Sequence, residues 1–311
     1  MVSADPATPI RPVRGSWSFG VVVLAGLLVV FLVAGCGQGS PEQQRGGTTE
    51  GPSGTTEEQT RQETTSETPP TGETPFTAAP EMSGGSQGAA DGILEVNFER
   101  REGYERAVLG FGSGGVPVSG VPMWSLSSPE GEGYARITFP GVDTTSVPDG
   151  LLGGSILDSF YVVRAPGGGL FVDIFATRAF QYRVTELDNP ARLTIDYRPA
   201  SVDLGSPIPV RETRTVLFEP RVGEAVTSPL RVSGYSRNPE ASNTITLVDA
   251  DGNVLSRSTV LSNDWLETWG YFEVSLEFPP FEGQAMLRVG GQSARDGSFE
   301  GVEVPVVYGK A

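Results

Sequence analysis

The sequence predicts an all-β chain, with two tandem β-sandwich domains behind an apolar N-terminal segment and a polar linker. Three observations carry this. Runs of alternating apolar and polar residues recur from about Gly92 onward, each long enough for one strand. Gly, Pro, Asn and Asp clusters punctuate them, as at Gly167-Gly168-Gly169 and Asp188-Asn189-Pro190. No window supports a helix of more than two turns, the nearest candidate being Gly150–Leu157. Short strands at this spacing build sandwiches or barrels.

The first element is an apolar run, Trp17 to Gly35, that follows Arg11 and Arg14 and ends in Val33-Ala34-Gly35-Cys36. Cys36 is the single cysteine. The constellation resembles the signal peptide of a bacterial lipoprotein, residues 1–35, with Val33, Ala34 and Gly35 as the lipobox. The resemblance implies cleavage before Cys36, acylation of its thiol, and a body tethered by lipid to the extracytoplasmic face of the cell membrane. An uncleaved transmembrane helix is the alternative, because the run is near the lower limit for spanning hydrocarbon and longer than the usual secretory core. Both place the rest of the chain outside the cytoplasm.

Residues 36–91 read as a disordered acidic linker of Gly, Thr, Glu, Gln, Ser and Pro. Its large apolar side chains are Phe76 and Met82 alone, too few to offset the entropy of ordering. As a coil it would reach on the order of 40 Å.

Residues 92–200 hold the first predicted sandwich. Leu94, Val96 and Phe98 share one strand face, with Glu95, Asn97 and Glu99 on the other. Glu102-Gly103 turns the chain into a strand carrying Ala107, Leu109 and Phe111. Further runs follow at Tyr134–Phe139, Ile156–Arg164, Leu170–Ala176, Phe180–Leu187 and Arg192–Tyr197. The segment Asn189-Pro-Ala-Arg-Leu-Thr-Ile-Asp-Tyr197 resembles the closing strand of AMIN domains, and the two runs before it fit the same pattern. AMIN domains are β-sandwiches that bring envelope proteins to peptidoglycan, so the resemblance implies a wall-polymer ligand for this region. The glycine-rich stretch Gly110–Gly120 and the Trp124 segment depart from that pattern.

Residues 206–311 hold the second. Glu224-Ala-Val-Thr-Ser-Pro-Leu-Arg-Val-Ser-Gly-Tyr235 leads to Thr244–Leu255, whose Asp251-Gly252 marks a hairpin. Trp269-Gly-Tyr-Phe-Glu-Val-Ser-Leu-Glu-Phe278 and Glu303-Val-Pro-Val-Val-Tyr308 close the pattern. In order, these motifs resemble the immunoglobulin-like domain of spore-germination proteins, Gmad2. The resemblance implies a sandwich without the antibody-type cysteine pair.

Composition narrows the chemistry. Against 38 Asp and Glu stand 22 Lys and Arg, a net charge of −16, so nucleic acid is excluded as a partner. There is no histidine. Histidine-based triads and zinc sites are therefore excluded, and with Cys36 assigned to lipid so are thiol chemistry and disulfides. Gly84-Gly-Ser-Gln-Gly88 fits a nucleophile-elbow pattern but has no histidine partner. Asp249-Ala-Asp-Gly-Asn253 has fewer carboxylates than a calcium loop needs and reads as a turn. Gly110-Phe-Gly-Ser-Gly-Gly115 is a hairpin loop, since no Lys-Ser or Lys-Thr follows. No catalytic residue, metal or cofactor is expected.

Aromatic residues are the remaining candidates. Trp265, Trp269 and Tyr271 lie together in the second region, and Tyr161, Phe171, Phe175, Phe180 and Tyr182 in the first. With Phe160 and Val162 pointing inward, Tyr161 and Arg164, along with Tyr182 and Arg183, are the candidate surface residues for a ligand. The sequence thus reads as a non-catalytic cell-envelope lipoprotein that binds peptidoglycan or another wall glycan through residues 92–200. The alternative is an extracytoplasmic protein-interaction module, of sporulation, germination or a surface complex, with an envelope protein as partner.

Overall fold

The structure is a computed structural model that describes residues 74–88, 90–129, 131–201, 209–293 and 295–309. The lipobox and Cys36 lie outside the described residues. Among the described residues the secondary structure is almost wholly strand, with a single 3-10 turn at Pro239–Ala241.

The first half carries β1 (Glu81–Gly84), β2 (Gly92–Arg101), β3 (Tyr104–Ser113), β4 (Val116–Pro117), β5 (Trp124–Ser127), β6 (Tyr134–Phe139), β7 (Thr144–Thr145), β8 (Asp149–Leu151), β9 (Leu157–Arg164), β10 (Leu170–Ala176), β11 (Phe180–Leu187) and β12 (Arg192–Pro199). The second half carries β13 (Val210–Glu212), β14 (Thr215–Glu219), β15 (Ala225–Val226), β16 (Leu230–Ser236), β17 (Ser242–Asp249), β18 (Val254–Leu261), β19 (Trp269–Leu276), β20 (Gln284–Gln292) and β21 (Phe299–Tyr308). Gly150–Leu157, the weak helical candidate, is instead β8 and a turn into β9. The Trp124 segment is β5, paired with β6.

Each half is a sandwich. One sheet, ordered β11-β12-β3-β2-β7, faces the β1-β5-β6-β10-β9 part of a second sheet. Between them lie Leu109, Phe111, Ile137, Phe160, Val162, Val172, Ile174, Ile195 and Tyr197. In the second half the sheet β15-β21-β20-β17-β18 covers Leu217, Val232, Ile245, Leu247, Phe272, Leu287 and Val304. Burial of each such side chain stabilises by roughly 2 kcal/mol before entropy is charged.

The two sandwiches are not beads on a string. One sheet runs through both, in the order β1-β5-β6-β10-β9-β19-β16-β14-β13. The join is a short parallel pairing of Trp269 with Val163 and Gly270 with Arg164. Gly270 is required there, because a Cβ would meet the Asp264 carbonyl oxygen at 2.0 Å. Asp264 pins that loop by accepting the Trp265 N–H at 2.6 Å, the Leu266 N–H at 3.0 Å and the Thr268 hydroxyl at 2.8 Å. Burial works against its charge, yet these donors hold its carboxyl below the usual range.

The polar segment also differs from expectation at its end. Residues 74–88, read as linker, are a strap on the first sandwich. Thr77 bridges Tyr182 through both backbone hydrogen bonds, at 2.8 and 2.9 Å, and β1 then pairs with β5 of the opposite sheet. Phe76 and Met82, the two large apolar residues of that segment, are what dock it. Met82 packs on the first core, and Phe76 lies beneath the Arg183 and Arg198 guanidinium groups at 4.8 and 4.5 Å.

Candidate functional site

Alternation correctly puts Tyr161 on the face opposite Phe160 and Val162, but that face is not solvent. It meets the outer face of the second half of the same sheet, and the two enclose a third core. From β6, β9 and β10 come Tyr134, Tyr161, Val163, Phe171 and Phe175. From β14, β16 and β19 come Val216, Phe218, Tyr235 and Trp269. The rings interlock edge to face, Tyr161 on Trp269 at 5.0 Å and Tyr134 on Phe218 at 5.1 Å.

Tyr161 is therefore buried, and its expected exposure is corrected. Arg164 sits at the rim of the same junction, 3.4 Å from Asp264, 3.5 Å from Asp143 and 3.8 Å from Glu267. Tyr182 is buried too, and this overturns its reading as a surface residue. On β11 it shares the inward face with Val184, and its hydroxyl donates to the Ala79 carbonyl of the strap at 2.6 Å. Arg183 does point outward, but its side chain is only 11% exposed. It donates to Asp196 at 2.6 Å, and its guanidinium stacks on Phe76 and, at 5.2 Å, on Tyr104.

Two arrangements thus gather polar groups. The first is the outer face of β3, β11 and β12. There Arg106 grips Asp196 with two hydrogen bonds, at 2.6 and 3.0 Å, beside Arg183. Arg198 is held by Gln181 at 2.7 Å. Guanidinium planes and rings alternate, which suits a flat ligand with polar edges.

The second is inside the junction. The β10 run Leu-Phe-Val-Asp-Ile-Phe-Ala is buried on both faces, yet it places Asp173 fully out of water. Asp173 accepts from Arg136 Nε and Nη2, each at 2.8 Å, and from the Tyr235 hydroxyl of the other sandwich. Arg136 Nη2 also reaches the Tyr235 oxygen at 2.8 Å. Burial opposes the Arg136 charge, but Asp173 outweighs it and the guanidinium stays firmly protonated. Burial and the same carboxylate push the Tyr235 hydroxyl far above its ordinary range. The triad holds buried charge in place across the junction. Further ties cross the junction: Trp269 Nε1 donates to Asp149 at 2.8 Å, Arg211 to Asp158 at 2.5 Å, and Arg221 pairs with Glu132.

Sequence reasoning missed Arg136, Asp173 and Tyr235. The available signal was Asp173 itself, a charge in the middle of a seven-residue apolar strand, which needs a buried partner.

The other motifs are structural. In Gly84–Gly88, Gly85 has φ 74° and a Cβ there would meet the Pro122 carbonyl oxygen at 2.1 Å. Gly110 and Gly112 lie within β3, against Glu95 and Leu94. Asp249 accepts the Asn253 N–H at 2.8 Å and the Asp251 N–H at 3.0 Å across a hairpin whose Gly252 has φ 87°. Among the described residues no three His, Cys, Asp or Glu side chains converge to hold a metal.

No curated protein and no solved structure matches the chain. Residues 215–298, from the start of β14 to the turn before β21, match the family model of the immunoglobulin-like domain of bacterial spore germination, Gmad2.

Proposed function

We propose that the chain is a non-catalytic interaction module outside the cytoplasm, anchored through a lipidated Cys36 and presenting two fused sandwiches to a protein partner. The observation that carries it is the Gmad2 match over residues 215–298, an immunoglobulin-like fold suited to contact. The continuous sheet and shared aromatic core at the junction support it, since a binder that loses little entropy on docking keeps more of its contact energy. A second reading, binding of peptidoglycan or another wall polymer by the first sandwich, draws on the Arg106, Arg183 and Arg198 array with Phe76 and Tyr104. One experiment separates them. The full chain is photo-crosslinked in its envelope and, in parallel, sedimented with purified sacculi. Cross-linked protein adducts with the chain left in the supernatant support the first reading. Co-sedimentation that Arg198→Ala weakens, without adducts, supports the second. Cys36→Ala abolishes lipid labelling and membrane retention if the anchor is as proposed, and unchanged labelling removes it.

A further inference from the structure

One row on the outer face of the first sandwich has a gap at its centre. Gly110 of β3 pairs on one side with Glu95 of β2 and on the other with Arg192 of β12. With no side chain between them, the two charged residues stand two strand spacings apart, about 10 Å at the backbone. They face each other across a notch of about 150 Å³, walled also by Leu94, Pro117 and Pro190. The β2 register slips by one residue between Ile93 and Glu95, and this bulge turns Leu94 and Glu95 to the same face. Glu95 leans over Gly110, where a Cβ would meet its Cγ at 2.6 Å and its Oε1 at 2.8 Å. The glycine is what keeps the notch open.

The two charges are not spent on each other. Among the described residues Arg192 makes no hydrogen bond or ion pair, and its Nε is shut away from solvent without a partner. Glu95 accepts from Asn97 through Oε2 at 2.9 Å and leaves Oε1 open. A guanidinium fork matches a carboxylate with two parallel hydrogen bonds. Phosphate would meet the same fork, but Glu95 opposes its second charge. A neutral sugar brings no charge for the fork. The last residue of a peptide brings both partners at once, a carboxylate for Arg192 and an amide N–H for Glu95. The notch has the volume of about five waters, which suits one small residue.

We propose that this notch binds the carboxyl-terminal residue of a peptide chain, small and uncharged in its side chain, with the carboxylate on Arg192 and the amide N–H on Glu95 Oε1. The proposal goes beyond the interaction reading, which names no contact, and does not depend on it.

The test uses the full chain and the peptide Gly-Gly-Ala with a dye on its N-terminus, made as the free acid or the carboxamide and read by anisotropy. The acid is expected to bind at least about tenfold tighter. Arg192→Gln should abolish that preference. Because Arg192 has no partner to lose, its urea midpoint should stay at the wild-type value. Gly110→Ala should weaken the acid about tenfold by crowding the notch. If Gly110→Ala also lowers the urea midpoint, Arg192→Gln alone decides. The same peptide ending in lactate, with an ester oxygen in place of the last N–H, should bind about fivefold weaker. Equal binding of acid and carboxamide overturns the proposal, as does a preference that Arg192→Gln leaves in place. Equal binding of the alanine and lactate acids overturns it in favour of a bare carboxylate site. Free alanine displacing the peptide as well as N-acetylalanine does overturns it in favour of a free amino-acid site, and inorganic phosphate doing so overturns it in favour of an anion site.

Discussion

Replacing Asp173 by Asn tests whether the junction is a true core. The carboxylate is fully buried and accepts two hydrogen bonds of 2.8 Å from Arg136 and one from Tyr235. Asn has nearly the same shape, but it removes the charge and turns an amide N–H toward the guanidinium. Breaking a buried pair by removing one partner costs about 3–5 kcal/mol. Arg136 keeps 29% of its side-chain surface exposed, so water recovers part of the loss. The expected cost is thus the low end, about 3 kcal/mol. In urea, with an m-value of about 3 kcal/mol/M, the midpoint should fall by about 1 M. Trp124 in the first sandwich and Trp269 at the junction report the unfolding by fluorescence. Tyr235→Phe should cost about 1–2 kcal/mol. The double variant should cost clearly less than the sum, because both changes act on one network. A loss below about 1 kcal/mol for Asp173→Asn, or additivity within about 0.5 kcal/mol, would refute the reasoning.

Two further outcomes follow from the packing. Glu105 is buried and accepts the N–H groups of Ser155, Ile156 and Leu157 at 2.6, 2.9 and 2.9 Å. Burial opposes its charge, but those donors win and its pKa lies below the ordinary value. Its stabilisation is therefore complete above the unfolded-state pKa and lost as pH falls through the lower folded value. Glu105→Gln should cost about 2 kcal/mol at neutral pH, with the gap to wild type closing below about pH 4 in chemical denaturation. A gap that stays constant from neutral to strongly acid conditions counts against this. A fragment of residues 74–201 leaves Tyr134, Tyr161, Phe171 and Phe175 uncovered, and should bind a hydrophobic dye or self-associate. A monomeric, dye-silent fragment would mean that the junction is only a contact between independent domains.

Most strands were legible because alternation reports local geometry. Tyr134–Phe139, Leu170–Ala176 and Phe180–Leu187 are bounded in the structure as the pattern bounds them. The short strands β4, β5, β7 and β8 left too few residues for a period to show. Residues 74–88 were misread for a different reason. Their order comes from backbone pairing with β11 and β5, which composition does not encode. The candidate site failed on one step of inference. Alternation says that Tyr161 and Phe160 face opposite ways, and it cannot say that both faces are covered. The clue was the aromatic content of the outward positions: Tyr134, Tyr161, Phe171, Phe175, Tyr235 and Trp269 all point away from their own sandwich core. A solvent-facing sheet surface would carry polar side chains there.

The continuous sheet changes what can be assigned to either domain. Tyr134 and Arg136 belong to β6 and Phe218 to β14, so the junction between them has no counterpart in a lone sandwich. Its Arg136 guanidinium is held from both sides, by Asp173 of the first sandwich and the Tyr235 hydroxyl of the second. Side chains fixed in this way need little further ordering when a ligand arrives. The segment that matches Gmad2 therefore supplies one wall of the junction, and the first sandwich supplies the other. Grafting residues 209–309, which keep β21 and its core residue Val304, onto another sandwich should preserve the immunoglobulin-like fold only with an exposed aromatic face, read as hydrophobic-dye binding.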